Sequence, residues 1–108
     1  MSERIRITCR DSQSIMVDSP FKVAGLAVTP YIAHPLVVDS TCWRVTHIAS
    51  GLSLPGFFDT VANASKALRA YLPLADWQKP SDDPEYTESL GRQVALIARR
   101  IRLWDYDV

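Results

Sequence analysis

The chain has 108 residues, 47% apolar and 22% charged, and its twelve basic and twelve acidic side chains cancel to zero net charge. Such proportions suit one soluble domain over residues 1–108 and exclude a wholly disordered chain. A balanced charge argues against a nonspecific nucleic-acid binder while leaving room for a local basic patch.

No apolar run approaches the roughly 20 residues of a membrane helix. The opening MSERIRITCR lacks the basic-then-apolar layout of a secretion signal, so a cytoplasmic protein without membrane attachment is expected. Cys9 and Cys42 do not make a disulfide framework and are expected as thiols packed like small hydrophobes.

Residues 4–9, RIRITC, alternate with the period of a half-exposed strand: Ile5, Ile7 and Cys9 on one face, Arg4, Arg6 and Thr8 on the other. A polar break, Arg10 to Ser14, precedes a short apolar run at Ile15 to Val17. Phe21 to Val28 is apolar on both faces and predicts one covered strand, with Gly25 marking a bulge. Pro30 and Pro35 bracket YIAH, which predicts an irregular connection or an edge strand. Leu36 to Asp39 and Cys42 to Ile48 then read as two strands joined at Asp39-Ser40-Thr41.

In the last of these, Trp43, Val45 and His47 share one face; Cys42, Arg44, Thr46 and Ile48 share the other. Two turns compete after it. A two-residue turn at Ser50-Gly51 sets Trp43 opposite Phe58, His47 opposite Leu54 and Val45 opposite Gly56, which leaves room there for a helix. A turn at Leu54-Pro55-Gly56-Phe57, with the Pro-Gly centre of type II, ends the second strand at Leu54 instead.

The first helix begins at Asp59 or Thr60 as N-cap, places Val61, Ala64, Leu68, Tyr71 and Leu72 on one side, and stops at Pro73. An acidic, proline-punctuated connection leads to a second helix predicted from about Asp83, with Pro84 in its first turn. Its apolar stripe runs Leu90, Val94, Ile97, Ile101, Trp104. Strands first and helices last predict an α+β domain: an antiparallel sheet of about four to five strands in the N-terminal two-thirds, packed on one face by two C-terminal helices.

Strand alternation separates Cys42 from His47, which disfavours a Cys–His metal or catalytic pair. No Cys-x-x-Cys or His-x3-His pair occurs, so neither zinc nor another cofactor is expected. Ser50 does not sit in a Gly-x-Ser-x-Gly elbow, and no glycine-rich phosphate loop is present. His47 is expected at the rim of the core, one nitrogen bonded to backbone or solvent, and His34 in a surface loop. Asp82, Asp83, Glu85 and Glu88 lack the pattern of a calcium loop and are expected to cap the second helix and compensate its dipole. No catalytic residue is assigned and an enzyme is not expected.

The second helix carries the anomaly. Arg92 and Arg99 lie nearly opposite the apolar stripe, Arg100 and Arg102 flank them, and Leu96 and Leu103 fall among the arginines. Arg92, Leu96, Arg99, Arg100 and Leu103 are therefore the candidate partner-binding residues, for another protein or for a second copy in a homodimer. The plainer alternative is a helix covered on two sides, or single exposed leucines without a role. Arg92, Arg99, Arg100 and Arg102 also offer phosphate contacts, the alternative of a small nucleic-acid-associated regulator. Against that role, Glu85, Glu88, Asp105 and Asp107 cancel their charge over 85–108 and no aromatic is interleaved for stacking.

The run WRVTHIASGL, followed by a short helix with Ala64 and Ala67, resembles small accessory proteins of bacteriophages, plasmids and their hosts. The resemblance implies a mobile-element protein that binds and blocks a host protein, an inhibitor of the anti-CRISPR type, or an adaptor. A non-enzymatic protein-binding domain is the resulting expectation.

Overall fold

Pro20 interrupts the strands early, and the interruption divides them into two sheets. Lacking an N–H, it cannot continue a ladder, and the five antiparallel strands split into a two-stranded ribbon before it and a three-stranded sheet after it. The computed structural model describes residues 3–8, 13–33, 37–80 and 82–106; the side chains of Glu3, Ala33, Val37, Asp39, Ser40 and residues 102–106 are not described. Cys9 and His34 lie outside the described residues.

In the ribbon, β1 (Glu3–Thr8) pairs with β2 (Ser14–Ser19) from Glu3 opposite Ser19 to Thr8 opposite Ser14. The alternation holds: Ile5 and Ile7 are buried while Arg4 and Arg6 are exposed, and β2 buries Val17 and Ser19. The three-stranded sheet has β4 (Leu26–Ala33) between β3 (Phe21–Val23) and β5 (Val37–His47).

Two strand assignments are corrected, and for a third the strand alternative holds. Phe21 to Val28 is a hairpin rather than one strand, because Ala24 and Gly25 both take positive φ, 50° and 95°, and reverse the chain in a two-residue turn. A Cβ on Gly25 would lie 2.5 Å from the Trp77 carbonyl oxygen, so the turn also meets the later backbone there. The segment after Pro30 is regular strand, with Tyr31, Ile32 and Ala33 opposite Asp39, Val38 and Val37. Residues 37–47 form one strand, not two; Ser40, Thr41 and Cys42 bulge out where Pro30 opposite Trp43 gives way to Tyr31 opposite Asp39.

After β5 both competing turns are used in part. Trp43 faces Phe58 as the Ser50-Gly51 hairpin requires, with backbone bonds of 2.8 and 2.9 Å. Nearer the turn the register differs, Thr46 facing Ser53, because residues 48–51 make a four-residue loop closed by His47 N–H to Leu52 O. The excess is absorbed at Pro55-Gly56, where Gly56 has φ 112°. Its bare Cα lets a helix approach, as expected: a Cβ there would be 2.6 Å from the Ala98 methyl.

Leu26, Ala27, Val28 and Thr29 are all buried, so β4 is covered on both sides. One side meets the helices through Leu26, Val28 and Val45, packed with Phe58, Leu68, Tyr71 and Val94. Fully burying each of these aliphatic or aromatic side chains stabilises the fold by about 1.5–3 kcal/mol. On the other side the Thr29 and Thr46 hydroxyls bond to each other at 2.7 Å. The ribbon is joined to the sheet by the Ser19 hydroxyl, 2.7 Å from Val28 O, and by Thr8, whose N–H and hydroxyl reach Gly51 O and Ser50 O. The expectation of a sheet covered only by helices thus gives way to three layers.

Thr60 caps α1 (Val61–Tyr71), its side chain accepting from Asn63 N–H, and Pro73 follows in a 3-10 turn, Leu72–Leu74. The helix buries Ala64, Ala67, Leu68 and Tyr71. The last helix, α2 (Glu88–Tyr106), buries Leu90, Val94 and Ala98 and packs Ile97 and Ile101 at the edge. Trp104 belongs to the undescribed side chains.

Tyr71 is fully buried, its hydroxyl has no hydrogen-bond partner among the described residues, and burial raises its pKa above the ordinary tyrosine value. Above about pH 10 the unfolded chain therefore releases a proton that the folded chain keeps, and stability falls as pH rises. Tyr71→Phe is expected to leave the melting temperature at pH 7 unchanged or higher, since an unpartnered buried hydroxyl costs about 1–3 kcal/mol. Melting curves between about pH 9 and 11 are expected to show a shallower alkaline loss for the variant.

Candidate functional site

The second helix starts five residues later than Asp83, and the intervening turn brings Tyr86 to His47. Asp83 caps a turn instead of a helix: its carboxylate accepts from Glu85 N–H and its carbonyl accepts from Tyr86 N–H, with Pro84 at the second turn position. Thr87 is the helix N-cap, its hydroxyl oxygen accepting from Leu90 N–H at 3.2 Å. The acidic run thus shapes the connection. Glu85 also bonds Lys79 Nζ at 3.2 Å and, with Asp83, raises the lysine pKa.

The Asp83 turn swings Tyr86 inward. Its ring stacks on Trp77 at 5.6 Å with 15° between planes, and both meet the edge of the His47 ring, at 5.3 and 6.4 Å between centroids. Trp77 is itself held by its indole N–H, which donates to Tyr71 O at 2.8 Å.

His47 lies on the helix-facing side of β5 as strand alternation predicts, but it is 4% exposed and both ring nitrogens meet side chains. The expected bond to backbone or solvent is therefore corrected. With the proton on Nε2, one chain of donors satisfies every group. Leu52 N–H donates to Ser50 Oγ at 3.1 Å, Ser50 O–H donates to Nδ1 at 2.8 Å, Nε2–H points at the Tyr86 oxygen at 3.5 Å, and Tyr86 O–H donates to Asp76 O. The loop after β5 is thereby tied to the connection between the helices. Sequence spacing did not bring Ser50, Trp77 and Tyr86 to His47; only the signal of a histidine on the core face pointed there.

The hydrogen bonds bridge two segments of the fold. In a Ser–His nucleophile pair a carboxylate orients the imidazole; here the second nitrogen faces a phenol, and Ser50 Oγ already receives a backbone N–H. Cys42 lies elsewhere, half-buried near Arg44. Among the described residues no three His, Cys, Asp or Glu side chains converge as metal ligands.

Beside the His47 cluster a cleft of about 220 Å³ opens between the 50–55 segment and the first turns of α2. It is lined by Leu54 and Pro55 from that segment, by Leu90, Gly91 and Val94 from α2, and by Trp77 and Tyr86 from the connection between the helices.

On the outer side of α2, Leu96 is 55% exposed, the most exposed large apolar side chain among the described residues. Arg92, Arg99 and Arg100 are exposed around it and form no ion pair with another described residue. The remaining predicted members, Leu103 and Arg102, have side chains outside the described set. A second side-chain group was not anticipated: the exposed Phe57 carries the half-buried Arg44 guanidinium 4.7 Å over its ring and the half-buried Tyr31 edge-on at 5.4 Å. The β5 bulge and the 55–58 segment bring these three together, which periodicity does not reveal.

If the hydrogen-bond chain is continuous through His47, Ser50→Ala and Tyr86→Phe each destabilise by about 1 kcal/mol and their effects couple by about 0.5 kcal/mol or more in a double-mutant cycle. Urea denaturation measures both; strictly additive losses would show two separate bonds. Comparison with protein-family models, curated proteins and solved structures finds no match to the chain.

Proposed function

We propose that the chain is a non-enzymatic protein-binding domain that engages its partner through the outer face of α2, with Leu96 as the apolar anchor and Arg92, Arg99 and Arg100 around it. The observation that carries this reading is the exposure of Leu96 amid three guanidinium groups that form no ion pair with another described residue. These arginines stand four residues before and three and four residues after the leucine, the spacings that share one helix face. An apolar anchor ringed by arginine suits an interface core.

Charge selects the partner. A second copy docked on the same face would bring Arg92 of one chain toward Arg99 and Arg100 of the other, and like charges across an interface disfavour that pairing. An acidic protein surface suits it better. An inhibitor or adaptor encoded on a mobile element is the sharper form of the proposal, and it rests on the resemblance of the WRVTHIASGL run alone. No helix among the described residues is long and apolar enough to cross a membrane.

Affinity capture with the intact chain as bait, followed by mass spectrometry, is expected to yield a protein with an acidic docking surface. Leu96→Asp and the pair Arg92→Glu, Arg99→Glu are expected to lose it while circular dichroism and melting stay within about 0.5 kcal/mol of the parent. Unchanged capture by both variants refutes the site. Retention of nucleic acid instead, with affinity falling steeply in salt, would favour the phosphate-binding alternative.

A further inference from the structure

The cleft on the inner side of α2 takes no part in the proposed protein contact. We propose that it is a binding pocket for a small neutral aromatic molecule, one ring or two fused rings in size, seated against the bare helix backbone at Gly91.

Gly91 is the starting observation. It lies inside α2 with no positive φ and no turn or capping role, where glycine is the least favourable residue after proline. Gly25 and Gly56 each meet another part of the chain where a Cβ would go, whereas a Cβ on Gly91 would meet no other described residue within 4 Å. Intramolecular packing therefore gives no reason for the missing side chain. Its effect is to keep the cleft open beside Leu90 and Val94.

Size and lining define the ligand. An apolar cavity of about 150 Å³ holds benzene, so about 220 Å³ admits a substituted ring or a fused pair. A flat ring can lie on the turn of helix that lacks a Cβ, between Leu54 and Pro55 on one side and Leu90 and Val94 on the other, with its edge toward Trp77 and Tyr86. None of the lining residues is Asp, Glu, Lys or Arg, so a charged ligand would be left unpaired against apolar walls. The His47 nitrogens are already engaged. The polar contacts on offer are hydroxyls: Thr87, which accepts from Leu90 N–H and keeps its own O–H to donate, and Ser53.

Titration of the isotope-labelled chain with indole, followed by amide NMR, tests the pocket. Saturable shifts are expected at the Gly91 and Leu54 amides and at the Trp77 indole N–H. Gly91→Leu fills the opening and is expected to weaken binding by at least roughly tenfold. Gly91→Ala, expected to raise the melting temperature, is expected to weaken binding by a smaller factor and keeps the test valid if the leucine variant does not fold. The proposal is overturned if indole gives no saturable shift at Gly91, or if the folded variants bind it as tightly as the parent. Benzoate binding as tightly as indole would overturn the neutral class. Tighter binding of the capped peptide acetyl-Gly-Trp-Gly-amide than of indole would assign the pocket to a side chain of a partner protein and overturn the free-ligand assignment.

Discussion

Trp77 joins the helical layer to the sheet, and most of the interior geometry depends on how it is held. Its indole N–H is bonded to the last carbonyl of α1, one face is stacked on Tyr86, and its own carbonyl rests against Gly25 in the β3–β4 turn. Tyr86 stands just before the Thr87 cap, so the position of the indole determines where α2 begins. With the start of α2 set, Val94 and Ala98 meet Phe58 and Gly56, and Leu96 is left facing outward.

Three layers follow from the same economy of surface. A short chain covers both sides of β4 by folding its first hairpin over one side and its helices over the other. The ribbon side is closed partly by hydroxyls, which are tolerated because Thr29 and Thr46 bond to each other and Ser19 to backbone oxygens. The helix side is nearly all hydrocarbon, and His47 enters it only because Ser50 and Tyr86 meet its nitrogens. α2 therefore presents two unlike surfaces beyond its core stripe. The inner one borders an uncharged cleft, and the outer one is cationic around a leucine.

Local periodicity revealed what depends on neighbours in the chain. The alternation of β1, the Thr60 cap, the Trp43–Phe58 pairing and the α2 stripe as far as Ile101 could all be read from spacing. Contacts between distant segments could not. Pro84 after Asp83 is compatible with a helix start or a turn, and the turn wins because Tyr86 must reach Trp77 and His47. Gly25 suits a bulge or a two-residue turn, and Ala24 gave no sign that it would adopt a positive φ beside it. Pro30 allowed an irregular connection or an edge strand, and the strand continues because the proline sits at the bulge, where no regular ladder bond is demanded of it. The outward direction of Leu96 was legible, whereas the cluster around His47 was not, since its members come from three separate stretches.

The bulge at residues 40–42 bears on how a lineage of such chains can vary. In an uninterrupted strand, gaining or losing one residue turns every later side chain to the wrong side. A bulge takes up such a change locally, so Trp43, Val45 and His47 keep their orientation while the far end of the hairpin grows or shrinks. Length polymorphism among descendants should accumulate there, at the margin of the domain, without disturbing the interior.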